Sequence, residues 1–467
     1  MADRPSDWGA LFRDGRGIYT VLLNLGIGLH AVDVFVISSV MPTVVGEIGG
    51  AAYYAWSTML YMAASIVGAA SGAPLKTAYG PNKGYAIGGI VFMLGSIGCG
   101  ASPTMLALLI ARTVQGLGGG IVISQSMALI SELYPIHLRT RILAIVSGVW
   151  GVAALIGPMV GGVFAEIGWW RGAFWVTVPV ILTFTALALR TLPGRSHDAA
   201  AVNYPLARVM LLAGGVLCAG VTGNVESLAA KLLLLALSIL LVGATFRFDS
   251  QAPNRLFPPQ PLSVLRPVGA IYWILLLFSI THTSIGIFLP LVLQVLHGVS
   301  PLAAGYGNAV FAVSWTVASF IAAGWRGPAE SAALIGGPVL VAVSLLAMTV
   351  GAVEFDALVI CALAGTAGFG IGLANIHLAA MIMRIAEPGH ESLTASSIPT
   401  IRSLGISFGA AGAGLIANAA GLGTGITTAT VAATATWVYG ITALAPVICV
   451  LLTLRILRLA AAKPARP

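Results

Sequence analysis

One carboxylate, Asp33, stands within the apolar run VLLNLGIGLHAVDVFVISSV at positions 21–40. A charged acid in hydrocarbon is costly unless it is paired, protonated or beside water, so such a residue reads as part of an ion or substrate route. Glu132, Glu166, Glu354 and Asp356 all fall near the ends of their apolar runs. His30 lies three residues before Asp33 and shares its helical face. Arg112, in LALLIARTVQGLGGG, is the natural partner, because at about 1.5 Å rise per residue the two groups reach a similar depth. Protonating Asp33 would release Arg112, a local charge change able to bias two packings of a helical bundle. A structural role fits the same residues: Arg112 cementing its helix to neighbours, or Asp33 held by a backbone donor.

The elements that must position these groups are membrane helices. The chain has 467 residues, 58% hydrophobic and 8% charged, with mean hydropathy +0.97, too apolar for one soluble core. Apolar runs of about 20 residues match a bilayer. They fall near 18–40, 54–73, 84–102, 104–131, 141–165 and 171–190, then 206–223 and 228–246, then 268–296, 302–324, 333–353, 357–383, 394–418 and 431–457. The first run has no small-residue cleavage site after a short core, so it reads as a retained helix. Proline-rich stretches at 193–205 and 253–267 flank the central pair. The expected architecture is an all-α polytopic membrane protein with fourteen spans. Residues 1–196 form one six-helix lobe, 197–262 a linker with two additional spans, and 263–467 a second six-helix lobe.

Cations set the orientation. With both termini cytoplasmic, 19 of the 23 Lys and Arg fall on that side, Arg195 among them, and only Arg171 and Lys231 fall outside. Arg112 and Arg402 lie within spans. The net charge of +8 is thus mainly a topology signal, and nucleic-acid binding is not expected. Cys99, Cys218, Cys361 and Cys449 sit in separate apolar runs, suggesting neither disulfides nor a metal site. The sequence has no GxxxxGK[ST] loop, no His-Glu-x-x-His and no nucleophile elbow, so an enzyme has no residue basis and no cofactor is expected.

The stretch GVWGVAALIGPMVGGVFAEIGWWRGAFWVTVP, 148–179, places Pro158 and several glycines in a spanning helix. Neighbouring helices can satisfy the backbone group freed near Pro158, and Gly157 and Gly161, four apart, permit close approach of another backbone. An internal repeat accompanies it. At an offset of 252, Gly116 and Gly118 match Gly368 and Gly370, Gln125 matches His377, and His30 matches His282. Such halves meet at a central site and rock about it.

These motifs carry a family resemblance over nearly the whole chain. LLIARTVQGLGGG resembles the fourth-helix motif of the drug:proton antiporters of the major facilitator superfamily, with Arg112, Gln115 and Gly116 in place. Gly151, Gly157, Pro158, Gly161 and Gly162 match the glycine-proline antiporter motif of the fifth helix. ASSIPTIRSLGISFGAAG, with Arg402, Leu404 and Gly405, is similar to a late helix of the fourteen-span branch, and Asp33 occupies that branch's first-helix acid position. The resemblance implies proton-coupled export by alternating access through the cytoplasmic membrane. APLKTAYGPNKG departs from the family's second-to-third-helix loop: Thr77 and Ala78 replace the acidic and basic positions of its charge latch. Some multidrug members carry a second deep acid in the later half, where this chain has His282, Asn375 and His377.

With one deep acid, the cavity suits monovalent or neutral amphiphiles better than dications. Candidate cavity residues are His30, Tyr61, Gln125, Trp150, His282, Asn308, Trp315, Asn375 and His377. Trp169, Trp170, Trp325 and Trp437 lie near span ends and read as interfacial belt residues. The expected partners are a small-molecule substrate, protons and lipid, with the chain acting as a monomer. A dedicated exporter or importer of one lipid-like or siderophore-like metabolite, and a transporter-derived receptor or structural protein, are the competing readings.

Overall fold

The computed structural model describes residues 8–13, 15–194, 205–387 and 390–461; the expected boundary at 196–197 and Arg195 lie outside them. Among the described residues, thirteen helices are long and apolar enough to cross a bilayer. The first group is α1 (Arg16–Ile48), α2 (Trp56–Tyr79), α3 (Pro81–Gly100), α4 (Met105–Leu133), α5 (Ile136–Glu166) and α6 (Gly172–Thr191). A hairpin follows, α7 (Leu206–Val221) and α8 (Leu228–Gln251). The second group is α9 (Pro267–His297), α10 (Pro301–Ala322), α11 (Pro328–Gly351), α12 (Ala357–Ile385), α13 (Ile398–Ala419) and α14 (Thr428–Leu459). The thirteen exclude α10, whose Gly305, Tyr306, Gly307 and Asn308 lower its hydropathy, yet α10 packs along α5 and α12 as a full-length helix.

Local chemistry explains the punctuation. Gly298, at φ +62, lets the Val299 N–H turn back to the Leu293 carbonyl and ends α9, after which Ser300 and Pro301 start α10. Gly80, at φ +87, joins α2 directly to Pro81 of α3. One boundary differs from the sequence expectation. α1 runs through Pro42 to Ile48, well past position 40, so Asp33 lies deeper from the end of its helix than the depth comparison assumed. Helices packed around Pro42 allow the continuation.

Small residues hold the helices together twice over, in matching places. A Cβ on Gly116, Gly118 or Gly120 of α4 would fall within 2.2 Å of backbone atoms of Tyr61, Phe92 or Ser65. On Gly368, Gly370 or Gly372 of α12 it would fall within 2.5 Å of the Phe311, Gly337 or Trp315 carbonyl. Backbone-to-backbone packing of α4 on α2 and α3 is thereby repeated by α12 on α10 and α11. His30 beside Tyr61, with rings 5.3 Å apart, is likewise repeated by His282 beside Phe311 at 5.0 Å.

The two groups meet along their outer halves. Gly162 of α5 abuts Leu302, Pro158 abuts Gly305, and Gly414 of α13 abuts Ala55. The Leu302 N–H donates to Glu166, Asn308 to Ser38, and Asn418 to the Ala52 carbonyl. These three bonds join the groups in the outer half, and the inner ends carry ion pairs within each group, Lys76–Glu132 and Arg384–Glu330. The outer halves of the two groups are thus in direct contact. A chamber of about 600 Å³ sits at the outer rim, lined by Pro42, Thr43, Gly50, Gln294, Gly423 and Ile426. Trp170 is no belt residue: it is fully buried, donates to Glu47 at 2.7 Å and lies under the Arg171 guanidinium. Trp169, Trp325 and Trp437 are exposed, as expected of an interfacial belt.

Candidate functional site

Asp33 and Arg112 meet. Arg112 donates to Asp33 Oδ2 at 2.6 Å, and both side chains are almost wholly buried between α1 and α4. Gln115, one turn along α4, closes the unit: its Nε2 donates to Asp33 Oδ1 at 2.8 Å, and its Oε1 accepts from the same Arg112 nitrogen at 2.5 Å. Ser96 and Cys99 of α3 back the amide, Ser96 Oγ accepting from Gln115 Nε2 at 2.9 Å. The guanidinium lies 4.2 Å from the Tyr61 ring centre, a cation–π arrangement. The Tyr61 hydroxyl lies 2.8 Å from His30 Nδ1, and His30 lies edge-on to Trp150, whose face is 37% exposed. A chain of polar and ring contacts thus runs from the Asp33 carboxylate to the partly exposed Trp150.

This cluster depends on the glycines of α4. A Cβ at Gly119 would stand 2.7 Å from His30 Nδ1 and 2.9 Å from the Tyr61 hydroxyl. Ser96 and Cys99 are the members that sequence reading missed, although their three-residue spacing within an apolar helix marks a polar stripe on one face. A second buried acid also escaped notice. Asp249 at the end of α8 pairs with Arg208 of α7 and accepts from the Leu256 and Phe257 N–H groups, at 2.8 and 3.0 Å. It anchors the hairpin to the segment leading into α9.

The second group carries no copy of the charged unit. Positions 285, 364 and 367, at the 252 offset from Asp33, Arg112 and Gln115, are Ile285, Ala364 and Ala367. What it does hold is an aromatic cluster, His282, Phe311 and Trp315, with His282 and Trp315 half-buried. Arg402 of α13 donates to Asn375 Oδ1 of α12 at 2.6 Å. Asn308 is buried at the outer seam, bonded to Ser38. Gln125 and His377 are buried, Gln125 beside Gly72 and Gly84. Of the fifth-helix residues, Gly157 packs on Phe35 and the Val32 carbonyl, Gly161 on Val36 and Ser39, and Gly162 across the seam, whereas a Cβ on Gly151 would meet nothing. Gly405 packs on the Leu276 carbonyl and Ser279 of α9.

A match over most of the chain settles the family. Residues 23–410 match the model of the Major Facilitator Superfamily. The chain belongs to that superfamily. A probable multidrug-efflux transporter of Mycobacterium tuberculosis is 32% identical over 90% of this chain and 91% of its own length. A multidrug transporter protein of Bacillus subtilis is 25% identical over 85% of this chain and 74% of its own. Among solved structures, a POT family transporter in complex with 5-aminolevulinic acid aligns with TM-score 0.67 at 13% identity, covering 94% of this chain and 96% of that one. The xylose transporter XylE of E. coli, in an inward open conformation, aligns with TM-score 0.61 at 14% identity, covering 94% and 95%. This major facilitator is accordingly a multi-pass protein of the cytoplasmic membrane, in a family of carriers for small molecules.

Proposed function

We propose that this major facilitator is a multidrug-type exporter that exchanges hydrophobic or monocationic small molecules for protons by alternating access. Asp33 carries the proton, and Arg112 balances its charge when the proton is absent. Residues 1–196 and 263–467 act as the rocking lobes of a monomer, with 197–262 as the inserted linker and hairpin. The Gly157, Pro158, Gly161 and Gly162 surface bears the motion against α1 and α10.

The observation that carries this reading is the closed Asp33–Arg112–Gln115 unit, which satisfies both oxygens of a buried carboxylate without access to water. Removing one partner of a buried pair costs about 3–5 kcal/mol. A proton moving down 100 mV and one pH unit supplies about 3.7 kcal/mol, the same scale. Protonation of Asp33 removes the negative partner, and Arg112 must then find another packing, which couples the charge state to the fit of α4 against α1. The named efflux function of the mycobacterial relative supports the direction of transport.

Uptake into inverted, energised membrane vesicles tests it. Asp33→Asn abolishes gradient-driven accumulation while the protein, though less stable, still folds and binds cargo. Normal accumulation with unchanged pH dependence in that variant rejects the assignment.

A further inference from the structure

Two arginines lie within spans, and they are not equivalent. Arg112 is balanced by Asp33. Arg402, among the described residues, has no carboxylate partner; its bond is the one to the neutral Asn375 amide oxygen. A guanidinium offers five N–H donors in a planar fork, and one bond to an amide leaves the charge and most of that fork available. The residue is half-buried, so its face remains accessible.

The position of Arg402 gives the charge a use. Ile406, one turn further along α13 on the same face, packs against the first group's cluster of Tyr61, Met62, Phe92 and Ile181. Arg402 therefore sits on the side of α13 that faces the other lobe, one turn inside that contact. Gly405 meets α9 at Leu276 and Ser279, and Gly409 meets it at Ile280. Arg402 is thus level with about residue 274 of α9, and the His282 cluster with Phe311 and Trp315 lies some eight residues further out, about 12 Å along the axis. A cationic point and an aromatic bed separated by that distance match an amphiphile with an acidic head and a flat apolar body.

We propose that Arg402 is a specificity residue of the cargo site, receiving a carboxylate group of an amphiphilic substrate whose apolar part lies on His282, Phe311 and Trp315. The assignment rests on the efflux reading and replaces its monocationic cargo with molecules bearing one carboxylate, zwitterions included. A bidentate guanidinium–carboxylate contact is stronger than a neutral hydrogen bond and discriminates by geometry. Cargo with a positive charge and no acid meets an unbalanced like charge at the same place.

Rhodamine 110, a zwitterion with a free carboxylate, and rhodamine 123, its methyl ester and a monocation, differ only at that group. Fluorescence anisotropy with the purified full-length protein reads binding, and gradient-driven uptake into proteoliposomes reads transport. The acid is expected to bind about tenfold more tightly than the ester, as one charge-assisted contact of about 1.4 kcal/mol or more requires. Arg402→Gln removes that preference by weakening the acid about tenfold while leaving the ester within about twofold, and Arg402→Lys restores part of it. Equal binding of the two dyes, preference for the ester, or an equal loss of both in Arg402→Gln overturns the proposal. Acid-selective binding without gradient-driven uptake of either dye overturns the efflux reading while leaving the binding assignment standing.

Discussion

Asp33→Asn removes one charge and almost no volume. In the structure Asp33 accepts from Arg112 and from Gln115. An asparagine offers one acceptor oxygen for those two donors and points its own NH2 at the other. One buried donor is left unpaired, costing about 1–3 kcal/mol, and the guanidinium loses its counter-charge, bringing the penalty to as much as about 3–5 kcal/mol. Thermal unfolding in detergent should register this loss, and the double variant D33N/R112Q, which removes both charges, should recover most of it. Transport should not recover. In proteoliposomes with one pH unit across the membrane and the potential clamped at zero, exchange of one proton per cargo molecule supports about tenfold accumulation, since 1.4 kcal/mol is a factor of ten. In D33N and in D33N/R112Q that ratio falls to one while cargo-for-cargo exchange continues. Tenfold accumulation by either variant, abolished by collapsing the pH gradient, would refute the role of Asp33.

Gly162→Ala places a Cβ 2.4 Å from Leu302 Cα across the outer seam, so the outer closure is penalised. Overpacking of about 1–3 kcal/mol should raise thiol labelling at a Thr43→Cys reporter in the outer chamber by about five- to 150-fold. Gly151→Ala, which meets nothing within 4 Å, should leave that labelling and transport unchanged. Asp249→Asn strands the buried Arg208 and should lower stability by about 3–5 kcal/mol in chemical unfolding, with the pH dependence of transport intact. Reversing Lys76 or Glu132 alone should slow transport, and reversing both together should restore it, measured as initial uptake rates.

Much of this was legible in the residues because lipid leaves few options. Apolar runs of about 20 residues can only be spans, and a six, two, six count follows directly from their spacing. The Asp33–Arg112 pairing was legible because isolated charges in hydrocarbon seek each other. What escaped was whatever depends on azimuth. Gln125 and His377 are buried in the glycine-rich helices α4 and α12, whose low amphipathic contrast leaves the sequence silent on which face is which. The extension of α1 beyond Pro42 was hidden because proline ends soluble helices more often than membrane ones. Asp249 was masked by its place at the end of α8, where an acid ordinarily meets water; only the fold shows the Arg208 and backbone N–H groups that enclose it. The repeat at 252 predicted more than expected, since it reproduces the helix contacts as well as the glycines.

The α7–α8 hairpin lies across a joint. α7 packs on α2 of one lobe and α13 of the other, Asn224 after it donates to the Ala52 carbonyl, and α8 behind it faces outward with little buried surface. The lobes meet along two flanks, α2 with α13 and α5 with α10. The inserted pair covers the α2–α13 flank, so a bilayer-dissolved molecule approaching the joint from the side would meet α7 and α8 there and only lobe helices at the α5–α10 flank.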